Sequence, residues 1–258
     1  MNSTRLRGCF VTGTDTEIGK TCVSAGLLHL LGRAGLRVAG FKPVAAGARE
    51  VAGRWLNDDV EALRAAGSVA RSADEVCPCL LRTPCAPHIA ARIDGTAISR
   101  THLSAAASEA ARGLDALVVE GVGGFCVPLG DDWDSADLAC DLALPVVLVV
   151  GLRLGCINHA LLSAQAVRDR GHGLAGWVAN TVDPAMAERE ANLHTLTQWL
   201  AERFGAPRLG VVPRLADPSP ASVALHLDAD AVFRALAHAG DLSAETQHVH
   251  EDPHCQPR

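Results

Sequence analysis

The chain has 258 residues, 48% hydrophobic and 20% charged, with only 3% aromatic residues and no tyrosine. It is long and apolar enough to bury a sizeable core, built from Leu, Val, Ala and Ile, and its composition excludes a disordered or fibrous polypeptide. A net charge of −6 without a Lys/Arg run disfavours a nucleic-acid-binding face.

In chain order, the pattern predicts a strand at 8–12 and a helix at 21–33, then a strand at 37–41. A helical Ala/Ser/Leu segment at 101–112 precedes a strand at 115–120. A strand at 145–151 feeds a helix at 157–170. A strand at 174–180 is followed by a helix at 185–204, and a strand at 209–212 by a helix at 221–238. The strands are continuous apolar runs, as in parallel sheets buried on both faces. The fold class expected is therefore α/β, with a mostly parallel sheet and helices on both faces, forming one domain over residues 1–240. The segment 241–258 is polar and aperiodic, and is expected to be a disordered tail. The longest apolar run, 142–152, is too short to span a bilayer. The first seven residues lack the apolar core of a secretory signal. Nine scattered cysteines read most simply as reduced thiols of a cytoplasmic protein.

The segment Gly13-Thr14-Asp15-Thr16-Glu17-Ile18-Gly19-Lys20-Thr21 carries the strongest chemistry. A buried strand, a glycine-bounded loop and a helix opening on Gly-Lys-Thr form a phosphate cradle. The loop N–H groups and the helix N-terminus attract anions. Lys20 reaches the outer phosphates, and the Thr21 hydroxyl suits Mg²⁺. The two glycines are separated by five residues, one more than in the ordinary phosphate loop. Ligands of parallel sheets sit at the carboxyl ends of the strands. That rule places Lys20, Lys42, Glu120 and Asn180 on one edge.

Residues 10–21, Gly-Phe-Lys-Pro-Val-Ala (40–45), Val-Glu-Gly-Val-Gly-Gly (119–124), Leu-Gly-Cys-Ile-Asn-His-Ala (154–160) and Gly-Trp-Val-Ala-Asn (176–180) resemble, in this order, the motifs of the dethiobiotin synthetase family. The resemblance runs from about Phe10 to about Leu215. It implies an ATP- and Mg²⁺-dependent enzyme that joins CO₂ to 7,8-diaminononanoate and closes a cyclic urea. The products are dethiobiotin, ADP and phosphate, within biotin biosynthesis. It implies a homodimer with active sites shared across the interface, and no nucleic-acid or membrane partner.

Carried over residue by residue, the resemblance assigns Lys42 and Lys20 to catalysis and Thr21, Asp59 and Glu120 to Mg²⁺. It assigns Thr16, Glu17, Ile18, Gly19, Lys20, Thr21, Asp59, Glu120, Gly121, Gly123, Asn180, Val212, Pro213 and Arg214 to the nucleotide. It assigns Thr16, Lys42, Ala46, Gly123, Cys156, Ile157 and Asn158 to the diamine substrate. Two positions depart from the family pattern. Ala46 stands where a hydroxyl residue is common, and Arg214 where an aromatic residue is expected.

Competing readings stand beside these. Lys42 is alternatively a solvated strand-end lysine, and Asp59 a first-turn helix acid with Asp58 as its rival. Asn180 is alternatively a turn residue, and Cys156 a small buried apolar residue. Cys77, Cys79, Cys85 and His88 invite a zinc reading, but their spacing does not fit the paired-cysteine patterns. The alternative function is a nucleotide-dependent switch, like the partitioning and site-placement ATPases. Those carry an extra lysine early in the loop, whereas this chain has none between Gly13 and Gly19.

Overall fold

A computed structural model describes residues 7–238. The expected tail at 241–258 lies outside the described residues. The chain opens with β1 (Gly8–Gly13), α1 (Lys20–Arg33) and β2 (Val38–Phe41). Two small ribbons come next: β3 (Val44–Ala45), and the hairpin of β4 (Arg49–Val51) and β5 (Arg54–Leu56). Short helices α2 (Asp58–Ala66) and α3 (Ala73–Val76), then β6 (Cys79–Leu80) and α4 (Pro87–Asp94), lead to α5 (Arg100–Ala110). The second half alternates regularly: β7 (Ala116–Glu120), α6 (Ser135–Leu142), β8 (Val146–Leu152), α7 (Cys156–Asp169), β9 (Leu174–Thr181), α8 (Arg189–Phe204) and β10 (Arg208–Val212). Helices α9 (Pro220–Ala224) and α10 (Ala229–His238) complete the described chain.

Six strands form the central sheet, in the order β10-β9-β8-β1-β7-β2, and every pairing in it is parallel. All six carboxyl ends therefore lie along one edge. The side chains of the central strands alternate between two apolar layers. Phe10, Val119, Leu148 and Val150 pack on one side, with Ala107 of α5, Ala139 of α6, Ala164 of α7 and Leu196 of α8. Val11, Val118, Val147 and Val149 pack on the other, with Leu27 of α1, Leu63 of α2, Val223 of α9 and Val232 of α10. Burial on both faces is why these strands read as unbroken apolar runs.

Two expectations are corrected. The helix expected at 221–238 is two helices. Between them Leu227 bridges Gly210, the Val211 N–H donates to the His226 carbonyl, and the Asp228 N–H donates to the Leu209 carbonyl. This stretch covers the open edge of β10, whose backbone would otherwise lack partners. The helix expected from 185 starts at Arg189, because Asp183 accepts the Ala185 N–H in a turn and Glu188 is left-handed at φ 50. The ribbons and short helices between 44 and 94 gave no long period to read.

Gly8 has φ +132, and a Cβ there would overlap the carbonyl oxygen of Leu117 on β7. Gly35 also has positive φ, at +86, but nothing lies within 4 Å of its Cβ position. Gly8→Ala should therefore cost roughly 2–4 kcal/mol of stability, against about 1–2 kcal/mol for Gly35→Ala. Urea unfolding midpoints measure both. Equal costs would mean that the sheet yields at Gly8.

Candidate functional site

The loop after β1 folds as its glycines require. Gly19 is left-handed at φ 85 and starts α1 with no side chain capping it. The first-turn N–H groups of α1 lack partners within the helix and are left for an anion. A Cβ on Gly19 would overlap the Asn180 side chain, whose Nδ2 donates to the Ile18 carbonyl at 2.8 Å. Asn180 thus pins the loop from the end of β9. Glu17 is exposed and left-handed at φ 58, whereas Ile18 is buried. The Lys20 side chain is buried along the loop, and its Nζ donates to the Asp15 carbonyl at 2.8 Å. Burial, and then the nearby Lys42 charge, lower the Lys20 pKa to about 8.

A second cation sits beside it. Lys42 follows β2 and is only 3% exposed, so it is not a solvated strand-end lysine. Its Nζ lies 2.6 Å from Glu120 Oε1 and 3.1 Å from Asp59 Oδ2. Burial works against the charge of Lys42, but Glu120 and Asp59 outweigh it and hold its pKa above the ordinary lysine value. Glu120 ends β7 and is 1% exposed. Its Oε1 also accepts from the Thr21 hydroxyl at 2.8 Å, while its Oε2 is buried without a partner.

Asp59 and Asp58 separate cleanly. Asn57 caps α2, accepting the N–H groups of Asp59 and Val60. Its amide also donates to the Ala46 carbonyl at 3.2 Å, tying α2 to the segment after Lys42. Asp59 then faces Lys42. The Lys42 charge, with Thr21 assisting, outweighs partial burial and lowers the Asp59 pKa. Asp58 is exposed and pairs with Arg49 at 2.7 Å.

The remaining expected residues fall into three groups. The turn after Glu120 lies against the phosphate loop. Gly121 N–H donates to the Val11 carbonyl, and the Cβ position of Gly123 is 3.6 Å from the Thr16 hydroxyl. Val212 of β10 is the register partner of Asn180, so these two of the residues expected at the nucleotide are neighbours; Pro213 is half-buried and Arg214 exposed. Cys156 is buried at the start of α7, Ile157 is partly buried and Asn158 is exposed. Among the described residues, no hydrogen bond or ion pair joins 156–158 to Lys42, Asp59 or Glu120. Sequence reasoning missed Arg153, which pairs with Asp15 of the loop. Its only signal was its place just ahead of the 154–160 motif.

A family model described as an AAA domain matches residues 7–222. The chain belongs to that family. The MinD cell division protein of Aquifex aeolicus is similar at 14% identity, covering 97% of this chain and 100% of that one, with a TM-score of 0.50. The MinC:MinD cell division protein complex of the same organism gives 14% identity, 97% and 99% coverage and a TM-score of 0.50. A ParA family ATPase from Chlorobium tepidum TLS gives 14% identity, 93% and 100% coverage and a TM-score of 0.49. Such low identities bear on fold alone: this AAA domain has the P-loop NTPase fold, which implies ATP binding, typically with Mg²⁺.

The residues present fit Mg²⁺. Thr21, Asp59 and Glu120 offer the oxygen donors that a hard cation takes, and the unpartnered Glu120 Oε2 is a carboxylate oxygen awaiting a ligand. Among the described residues, no group of three or more His, Cys, Asp or Glu side chains is placed to hold a metal ion. No described helix is long and apolar enough to cross a membrane.

The AAA domain should show the two aspartates to be unequal. Asp59→Asn and Glu120→Gln should weaken Mg²⁺-dependent ATP binding about tenfold or more. Asp58→Asn should change it less than about twofold, because an exposed pair is worth little. Calorimetric titration with and without Mg²⁺ measures this. Equal, mild losses for both aspartates would reduce Asp59 to a helix-start acid.

Proposed function

We propose that this AAA domain protein is an ATP-dependent ring-closing ligase of the dethiobiotin synthetase type. It joins CO₂ to 7,8-diaminononanoate and forms dethiobiotin, ADP and phosphate. The observation that carries the reading is the buried Lys42 cation, held between Glu120 and Asp59 beside the phosphate loop. A reaction between two anions, a carbamate and a phosphoryl group, needs fixed positive charge where they meet.

The first amine of the diamine attacks CO₂ and loses a proton, giving a carbamate. A carbamate oxygen attacks the γ-phosphorus of ATP, and ADP leaves. The second amine attacks the carbonyl carbon of this mixed anhydride. Phosphate leaves and a proton is lost, which closes the cyclic urea. Lys42 has three N–H donors. Two are directed at Glu120 and Asp59, and the third serves the carbamate and the incoming phosphoryl group. Its raised pKa keeps it charged, so it acts as a fixed cation rather than a base. Lys20 leaves the Asp15 carbonyl for the β- and γ-phosphates. Thr21, Asp59 and Glu120 would hold Mg²⁺, which supplies charge neutralisation to the phosphates when bound. Gly123 and Thr16, already neighbours, border the diamine.

The resemblance also supports a homodimer. Leu154 is 91% and Leu162 61% exposed at and along α7, an apolar surface of the kind a second copy covers. Gly155 starts α7 with no side-chain cap, and the N–H groups of 156–158 would receive the diamine's carboxylate from the partner side.

A second reading, a nucleotide-dependent switch, is favoured by the similarity in fold to the MinD cell division protein. Phosphate release separates the two. The ligase should release phosphate from ATP only with both bicarbonate and the diamine present. Release that ignores both would support the switch. Lys42→Ala should lower ring closure about 10²–10³-fold while ATP still binds. Turnover near wild type at saturating diamine would remove Lys42 from the mechanism.

Subunit mixing tests the shared site. Lys42→Ala and a variant with a disrupted 155–158 turn, each inactive alone, should regain about a quarter of full activity when refolded together, since half the dimers are mixed and each has one intact site. No recovery despite mixed dimers in native mass spectrometry would place the site within one chain.

A further inference from the structure

The phosphate loop is itself acidic. Asp15 and Glu17 lie between Gly13 and Gly19, and no lysine or arginine does. A carboxylate beside a cradle for phosphates repels its ligand, most strongly at low salt, and solvent exposure weakens the repulsion. Glu17 lies exposed to solvent, where its charge is well screened. Asp15 is different, because its carbonyl is the acceptor that holds Lys20.

The surroundings of Asp15 answer this charge. Its Oδ1 accepts the Thr16 N–H at 2.7 Å, and its Oδ2 pairs with the Arg153 guanidinium. Arg153 is not carried by the loop. It follows the last residue of β8, and its carbonyl accepts the Cys156 N–H at 3.0 Å. β8 pairs with β1, and the Gly151 N–H reaches the Thr14 hydroxyl at 3.4 Å. The sheet thus sets the position of Arg153 beside the loop.

We propose that Arg153 is a charge-compensating positioning residue of the nucleotide loop. It neutralises Asp15 and holds that carboxylate away from the phosphate cradle, which leaves the loop N–H groups and, once it swings off the Asp15 carbonyl, Lys20 for phosphate. The proposal rests on the nucleotide site of the preceding section and not on ring closure.

The test is calorimetric titration of the full chain with MgADP at 0.05 and 0.5 M KCl, with thermal midpoints to confirm folding. Arg153→Gln should bind about tenfold more weakly at low salt, and the deficit should shrink to about two- to threefold at high salt. Arg153→Lys keeps the charge and should bind as wild type does. Asp15→Asn keeps an acceptor for the Thr16 N–H and should bind within about twofold of wild type. The deciding variant is Asp15→Asn/Arg153→Gln. With no charge left to compensate, it should recover to within about threefold of wild type. A double variant as weak as Arg153→Gln, with a salt-independent deficit, would overturn the proposal and leave Arg153 a mere tether. Unchanged binding by Arg153→Gln would overturn it too. Wild-type protein that binds no MgADP would end the nucleotide reading and this proposal together. Absent ring closure, with the variant pattern intact, would end only the ligase reading.

Discussion

A lysine ammonium and a glutamate carboxylate share the interior at the carboxyl edge of the sheet, 2.6 Å apart and almost out of reach of water. Neither charge is tolerable there alone, since breaking such a pair by removing one partner typically costs about 3–5 kcal/mol. Four elements meet on this pair. β2 delivers Lys42, β7 delivers Glu120, α1 contributes the Thr21 hydroxyl, and α2 contributes Asp59. The pair is not a device for stability, because well-packed apolar residues would serve a core at least as well. It concentrates charge where a phosphate and a metal ion would meet, and leaves one carboxylate oxygen without a partner.

Such a cluster demands a rigid frame. Parallel pairing places the ends of β1, β2, β7 and β9 on one edge, and burial on both faces fixes their register. The frame is then tied at its loops. Asn180 holds Ile18, Asn57 holds Ala46, and Arg153 holds Asp15. Each tie joins segments far apart in sequence or spans a turn next to the site. A cation site built on flexible loops alone would lose its geometry to entropy.

The legibility of the site followed its periodicity and spacing. Gly13, Gly19, Lys20 and Thr21 were readable because a phosphate cradle requires those residue types in that order. Glu120 was readable because a carboxylate ends an apolar strand. The rest was written in weaker signals. Asn57 as the cap of α2, the Ser72–Glu75 capping box of α3 and the Asp134–Asp137 box of α6 were local, each only four residues long. Helices as short as α3 and α4 draw their stability from tertiary packing, so propensity alone does not announce them.

By itself the sequence determined the α/β class, the order of the six long strands along the chain and the nucleotide loop, because apolar runs and glycine spacing are properties of neighbouring residues. Only the tertiary structure decided that Asp59 rather than Asp58 faces Lys42, since a helix start turns adjacent residues about 100° apart and one of them must point outward. It alone decided the strand order, the break between α9 and α10, and the pairing of Arg153 with Asp15. Those depend on which segments far apart in sequence are brought together, and hydrophobic pattern carries no address for a partner 138 residues away.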